Sequence, residues 1–233
     1  MRAEPNAPAA EVVRQSSAER LRKLPALFRG ADLTLRFRWT SKTASQYLYL
    51  WKQRGWVQAL GGHSDVYANT LMHADRIDWE KALLKAMPTG IIVGLESLRR
   101  ANWITQIPAR PQVAVRRDMP HYQVDRFEIA PVPRLEHADL LRHTREELCQ
   151  SMPVLDPAYA LVEMVHQKGW GRCGLDPDDV YVEEMTANDL ANIVRACENL
   201  EIGLDAFDEI LAGSDVAPQE PARDRASDSL SVR

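Results

Sequence analysis

Cysteine is scarce in this sequence: Cys149, Cys173 and Cys197 are the only three in 233 residues, and no C-x-x-C pair occurs. An odd number of scattered thiols argues against a disulfide framework, so three reduced thiols are expected. Their even spacing is not a repeat, because the flanks Glu-Glu-Leu, Trp-Gly-Arg and Val-Arg-Ala do not match. Long apolar runs are missing too. No stretch approaches the roughly 18 consecutive apolar residues of a membrane helix. The start, Met1-Arg2-Ala3-Glu4-Pro5, has no apolar signal region. A cytoplasmic protein without a membrane partner is expected.

Catalytic signatures are also absent. The sequence has no G-x-x-x-x-G-K-[ST], H-E-x-x-H, G-x-S-x-G or G-x-G-x-x-G. His63, His73, His121, His137, His143 and His166 are scattered, and the spacing of His137 and His143 keeps them off one helix face. No metal site is expected. The run Asp176-Pro177-Asp178-Asp179 has the look of a Mg²⁺-holding carboxylate pair of a nucleotidyltransferase. The Gly-Ser turn and third carboxylate of that site are not evident, so an acidic loop capping a helical turn is the reading adopted. The chain is expected to be no enzyme and to need no cofactor.

What is present is an ordinary globular composition, with 45% hydrophobic and 27% charged residues. The net charge of −4 conceals a gradient. Residues 1–75 hold 11 basic and 6 acidic side chains, 76–150 hold 12 and 10, and 151–233 hold 6 and 17. A basic head suggests a polyanionic partner.

Periodicity divides the chain. Residues 1–16 read as a disordered lead-in. A helix is expected from Ser17 to Phe28 on the spacing of Leu21, Leu24, Leu27 and Phe28, ending at Gly30. A short helix over Ala31–Arg36 follows. A third, N-capped by Thr40 or Ser41, runs to Arg54 and stops at Gly55. Its apolar stripe is Ala44, Tyr47, Leu48 and Trp51; Lys42, Ser45, Gln46, Tyr49, Lys52 and Gln53 lie opposite. Trp51 is expected in the core, and Tyr49 either touches phosphate or covers the hairpin. Strands at 56–60 and 66–69 flank the turn Gly61-Gly62-His63-Ser64-Asp65. Helix, helix, helix, hairpin is the order of a winged helix-turn-helix, placed at 17–75 with a linker near Met72 to Asp78.

The second domain is placed at 77–213. Helices are expected at 79–86, 95–102, from 135 onward, and from Pro157 to Lys168 with Asp156 as N-cap. Two more are expected at 186–200 and 204–211. Gly90–Val93 is a short apolar run, and strands are expected at 112–115, 122–124 and 127–132. Residues 214–233 are polar and read as a disordered tail. The expected fold class is α+β: an N-terminal winged helix-turn-helix, then a mixed α/β C-terminal domain with a small sheet and several helices.

A DNA-reading helix needs short polar and cationic groups near its N-terminus, where it enters the major groove. Thr40, Ser41, Lys42 and Thr43 supply them, and Gln46 lies within reach of a base edge. Arg36, Arg38 and Lys52 suit phosphate oxygens, and His63 stands at the tip of the wing. The alternative is a winged-helix interaction protein that docks a protein partner in a mobile-element or phage-defence complex.

Three stretches carry a family resemblance: Ser45–Leu48 through Lys52–Val57 with the hairpin ending Val66-Tyr67-Ala68; Gly90–Leu98 with Thr105–Pro108 and Gln112–Val115; and Leu155–Leu161. In order and spacing they resemble the AbiEi family, antitoxins of type IV toxin–antitoxin systems that are also transcriptional regulators. The resemblance covers residues 17–200. It implies a winged helix that binds inverted repeats in double-stranded DNA of the protein's own promoter and represses it, with dimerisation on DNA. It further implies a C-terminal antitoxin domain that counters a nucleotidyltransferase toxin without a stable complex. The DNA-binding role transfers to Thr40–Gln46 and to the wing around Gly62; no antitoxin residue transfers.

Overall fold

The structure, a computed structural model, describes residues 16–212. The expected lead-in, Ser16 apart, and the expected tail lie outside the described residues.

Helix α1 (Ser17–Arg22) opens on a capping box. The Glu19 amide donates to Ser16 Oγ at 3.2 Å, and the Ser16 amide donates to the Glu19 carboxylate at 2.6 Å. The helix expected to reach Phe28 ends six residues earlier, with Lys23 as C-cap. Pro25 is the reason: it disfavours helical geometry at Leu24 and cannot donate to the previous turn. Leucine spacing alone had suggested continuation. The chain instead extends as β1 (Leu27–Arg29), a strand that periodicity missed.

Gly30, expected to stop a helix, starts α2 (Gly30–Phe37). The turn Arg38–Thr40 follows, with Arg38 left-handed at φ 53°, and then α3 (Ser41–Gln53). The hairpin is β2 (Val57–Ala59) and β3 (Val66–Asn69). β3 is central, antiparallel to both neighbours, in the order β1-β3-β2. Leu21, Phe28, Leu33, Ala44, Leu48, Trp51 and Val57 bury into one core against this sheet.

Helix α4 (Thr70–His73) and a 3₁₀ turn lead to α5 (Trp79–Ala86), whose first turn is capped by Asp78 accepting from the Lys81 amide at 2.9 Å. Then come β4 (Ile91–Val93), α6 (Leu95–Arg100), β5 (Gln112–Arg116), β6 (Glu128–Val132) and α7 (Arg134–Arg142). β5 is central in a second sheet, antiparallel to β4 and parallel to β6. The strand expected at 122–124 does not form. Val124 makes only an isolated bridge to Phe127, because the chain reverses between them.

A second core joins Leu60 and Val66 of the hairpin to Ala82, Leu83 and Met87 of α5 and its end, to Ile92 and Val113 of the second sheet, and to Val124 and Phe127. The linker expected near Met72–Asp78 therefore lies within a stretch of chain whose two sides share one core. By compactness the chain divides elsewhere. One unit holds the chain up to Ser97 together with Ile107–Asp156; the other holds Leu98–Gln106 and the chain from Pro157.

The second unit is built on α8 (Pro157–Lys168) and α9 (Ala187–Asn199), which pack on each other, and α10 (Asp208–Ala212) is the last of its described elements. Thr186 caps α9 in a reciprocal box with Asp189. Trp170 meets Phe207 edge-on at 5.9 Å and donates its indole N–H to the Ala206 carbonyl at 2.7 Å. The Asp176–Asp179 run forms a capped 3₁₀ turn, the Asp176 amide donating to the Asp179 carboxylate at 2.9 Å. Among the described residues, no group of three His, Cys, Asp or Glu side chains is arranged to hold a metal, and no helix is long and apolar enough to cross a membrane.

Candidate nucleic-acid interface

The α2–turn–α3 corner is held from inside by aromatic rings. Trp39 in the turn stacks on Tyr47 at 4.2 Å and leans on Phe37 at 4.8 Å, and Tyr47 lies 5.6 Å from Trp51. Trp51 is fully buried and donates its indole N–H to Ser17 Oγ at 2.7 Å, which ties α3 to α1. Arg20 lies over both Trp39 and Tyr47, at 5.5 and 5.4 Å, and donates to the Tyr47 hydroxyl. Sequence periodicity placed Trp51 correctly; the stacking of Trp39 on Tyr47 had no signal in the spacing.

With the inward face so occupied, the phase of α3 leaves Ser41, Lys42, Ser45, Gln46, Lys52 and Gln53 exposed. Helix α3 contains no Asp or Glu. Thr40 is its N-cap, accepting from the Thr43 amide at 3.2 Å, and its hydroxyl lies 2.9 Å from that of Thr43. These two hydroxyls are engaged with each other, whereas Lys42, Gln46 and Lys52 have no intramolecular polar partner among the described residues. Arg36 and Arg38 are exposed on α2 and in the turn. All these groups thus belong to one helix pair and its connecting turn. Tyr49 stands 63% exposed rather than covering the hairpin. Ser45 is exposed on the same face as Lys42 and Gln46.

The hairpin tip differs from a free-standing loop. Ser64 is withdrawn, its hydroxyl donating to the Gly61 carbonyl at 2.8 Å. Gly62, left-handed at φ 56°, sits so close to the loop at 122–123 that a Cβ there would collide with the Gln123 carbonyl and come within 3.1 Å of Tyr122 Cβ. His63 remains exposed. Asp65 at the end of the tip accepts from the Gly30 amide at 3.0 Å and the Ala31 amide at 3.3 Å, capping the first turn of α2 from across the sheet. No sequence signal pointed to either contact.

No protein-family model matches the sequence, and no curated protein matches it either. Among solved structures, the chain is similar to that of the RV2827C protein from Mycobacterium tuberculosis, with a TM-score of 0.52 and 13% identity over 84% of this chain and 74% of that one. At that identity the likeness is one of fold: a mixed arrangement of helices with small sheets.

Proposed function

We propose that residues 17–75 are a winged helix-turn-helix that binds inverted repeats in double-stranded DNA of the protein's own promoter, with α3 in the major groove. The whole chain then acts as antitoxin and transcriptional autorepressor of a type IV toxin–antitoxin operon, as in the AbiEi family, countering a nucleotidyltransferase toxin without a stable complex. It is a cytoplasmic, non-enzymatic protein that pairs with a second copy on DNA. The observation that carries the DNA half is the acid-free face of α3, with Lys42 and Gln46 exposed and unpaired. Unpaired long side chains of this kind suit phosphate and base-edge contacts. The antitoxin half rests on the order of the three family-like stretches.

Replacing Lys42 and Gln46 together with Ala should weaken binding to promoter DNA by about 2–5 kcal/mol while leaving the fold intact. Unchanged gel-shift affinity in a folded double variant would remove α3 from the interface.

One observation favours a second reading, docking of a protein partner. Leu35 is 79% exposed beside an open hollow lined by Leu24, Pro25, Asp32 and Arg36, and Leu50 is exposed on α3. Salt separates the two: phosphate binding weakens steeply with ionic strength through counterion release, and apolar docking does not.

A further inference from the structure

We infer that the Tyr122–Asp125 loop sets the affinity of the α2–α3 helix pair for DNA, acting through the hairpin tip and Asp65. The inference rests on the DNA-binding reading above. It concerns how the second sheet, which makes no part of the proposed reading face, is wired to it.

Three contacts run in series. The loop is anchored in the second core, where Val124 is buried and Tyr122 packs, and the Tyr122 amide donates to Met87 Sδ at 3.4 Å. The hairpin tip lies on the loop: Gly62 has no room for a Cβ beside Tyr122 and Gln123, and a Cβ on Gly61 would stand 3.7 Å from the Val124 Cα and the Asp125 amide nitrogen. The end of the tip grips α2, because Asp65 accepts from the Gly30 and Ala31 amides and its own carbonyl accepts from Gly30 at 3.1 Å. A Cβ on Gly30 would displace the Asp65 carboxylate from these amides. Helix α2 in turn ends in the turn that starts α3. A displacement of the loop is therefore passed to the first turn of α2 through packed backbone and two charge-assisted hydrogen bonds, a contiguous path of the kind that transmits coupling. Coupling is reciprocal, so a change at Asp65 must also be felt at the loop.

The test uses two matched glycines in the full-length protein. Gly55 and Gly62 are both left-handed, at φ 68° and 56°, but nothing lies within 4 Å of a Cβ on Gly55. Gly55→Ala and Gly62→Ala thus share backbone strain, and only the second pushes on the loop. Amide hydrogen exchange at Gly30 and Ala31 should be faster in Gly62→Ala than in Gly55→Ala, and promoter affinity about tenfold lower. Asp65→Ala should also lower affinity about tenfold. Removing an acid beside DNA would by electrostatics alone tighten binding, so a loss there reports positioning. The double variant Gly62→Ala/Asp65→Ala should lose about tenfold in total, not a hundredfold, because both changes cut one path. Unaltered exchange at Gly30 and Ala31 in Gly62→Ala, or additive losses in the double variant, would overturn the inference. If Gly62→Ala does not fold, Asp65→Ala is read from the other end: faster exchange of the Tyr122 amide supports the path, and unchanged exchange refutes it. Should the wild-type chain bind no duplex, the DNA-binding reading falls, while the exchange data still decide whether loop and helix are coupled.

Discussion

Over residues 16–212, the unit that contains both sheets carries 19 basic against 15 acidic side chains, and the unit built on α8 and α9 carries 5 against 12. The first, among its described residues, combines two three-stranded sheets, helices α1–α5 and α7, and an aromatic corner. The second, among its described residues, is helical, its turns capped by Asp and Thr. Residues 98–106, with two arginines, belong to the acidic unit although they interrupt the basic one. The gradient seen along the chain is therefore a property of compact units, not of a head and a tail. The first unit carries a net positive charge and the second a net negative one, so a polyanion is favoured electrostatically at the first and disfavoured at the second.

The sharpest way to break this comparison is to cut the first unit at the expected linker. A fragment of residues 77–233 loses Leu60 and Val66 from the second core and uncovers Leu83, Met87, Val124 and Phe127. Each lost apolar side chain accounts for about 1.5–3 kcal/mol of burial, so the β4–β6 sheet should lose its cooperative thermal transition and bind a hydrophobic dye. A fragment that melts like the intact protein would show that the two sheets do not depend on each other.

Next in size is Trp51→Ala, which empties the middle of the aromatic corner and removes the bond to Ser17. It should destabilise the first unit by about 3–5 kcal/mol, read by denaturant unfolding. A variant as stable as wild type would mean the phase of α3 is wrong, and its outward face with it. The helical unit offers a smaller counterpart. Thr186→Ala removes the hydroxyl that accepts from the Asp189 amide at 3.2 Å and should cost about 1 kcal/mol; no change in unfolding would show that the cap is redundant.

The smallest effect is one of pH and is confined to the basic unit. Burial, and then the Asp65 carboxylate, push the Tyr67 phenol above its ordinary value of 10.0. The folded state therefore holds this proton more tightly than the unfolded chain. The resulting stability is present below pH 10 and is lost as pH rises through the higher folded value. Tyr67→Phe keeps the stacking with Phe28 and should remove that part of the alkaline fall in stability. An identical alkaline profile in the variant would place the titrating group elsewhere.

Helices with a strong local pattern are legible in the sequence. The bounds read for α5, α8 and α9 lie within a residue or two of those observed, whereas Asp78 and Thr186 are not read as caps from the sequence. The outward face of α3 follows from helical spacing, since the positions that bury Ala44, Leu48 and Trp51 leave Lys42 and Gln46 outside. Where signals conflicted, the reading failed: leucine spacing argued for helix across Pro25, and the proline prevailed. The three residues of β1 carry too little pattern to be seen.

The sequence by itself determined which local segments become helices and which of their faces are polar, because those properties depend on neighbours three and four residues away. Only the tertiary structure decided that β1 completes the first sheet, that Asp65 caps a helix 35 residues before it, and that the hairpin tip rests on the Tyr122–Asp125 loop. Those are contacts between segments far apart in the chain. They follow from how surfaces fill space around a shared core, and no local periodicity encodes them.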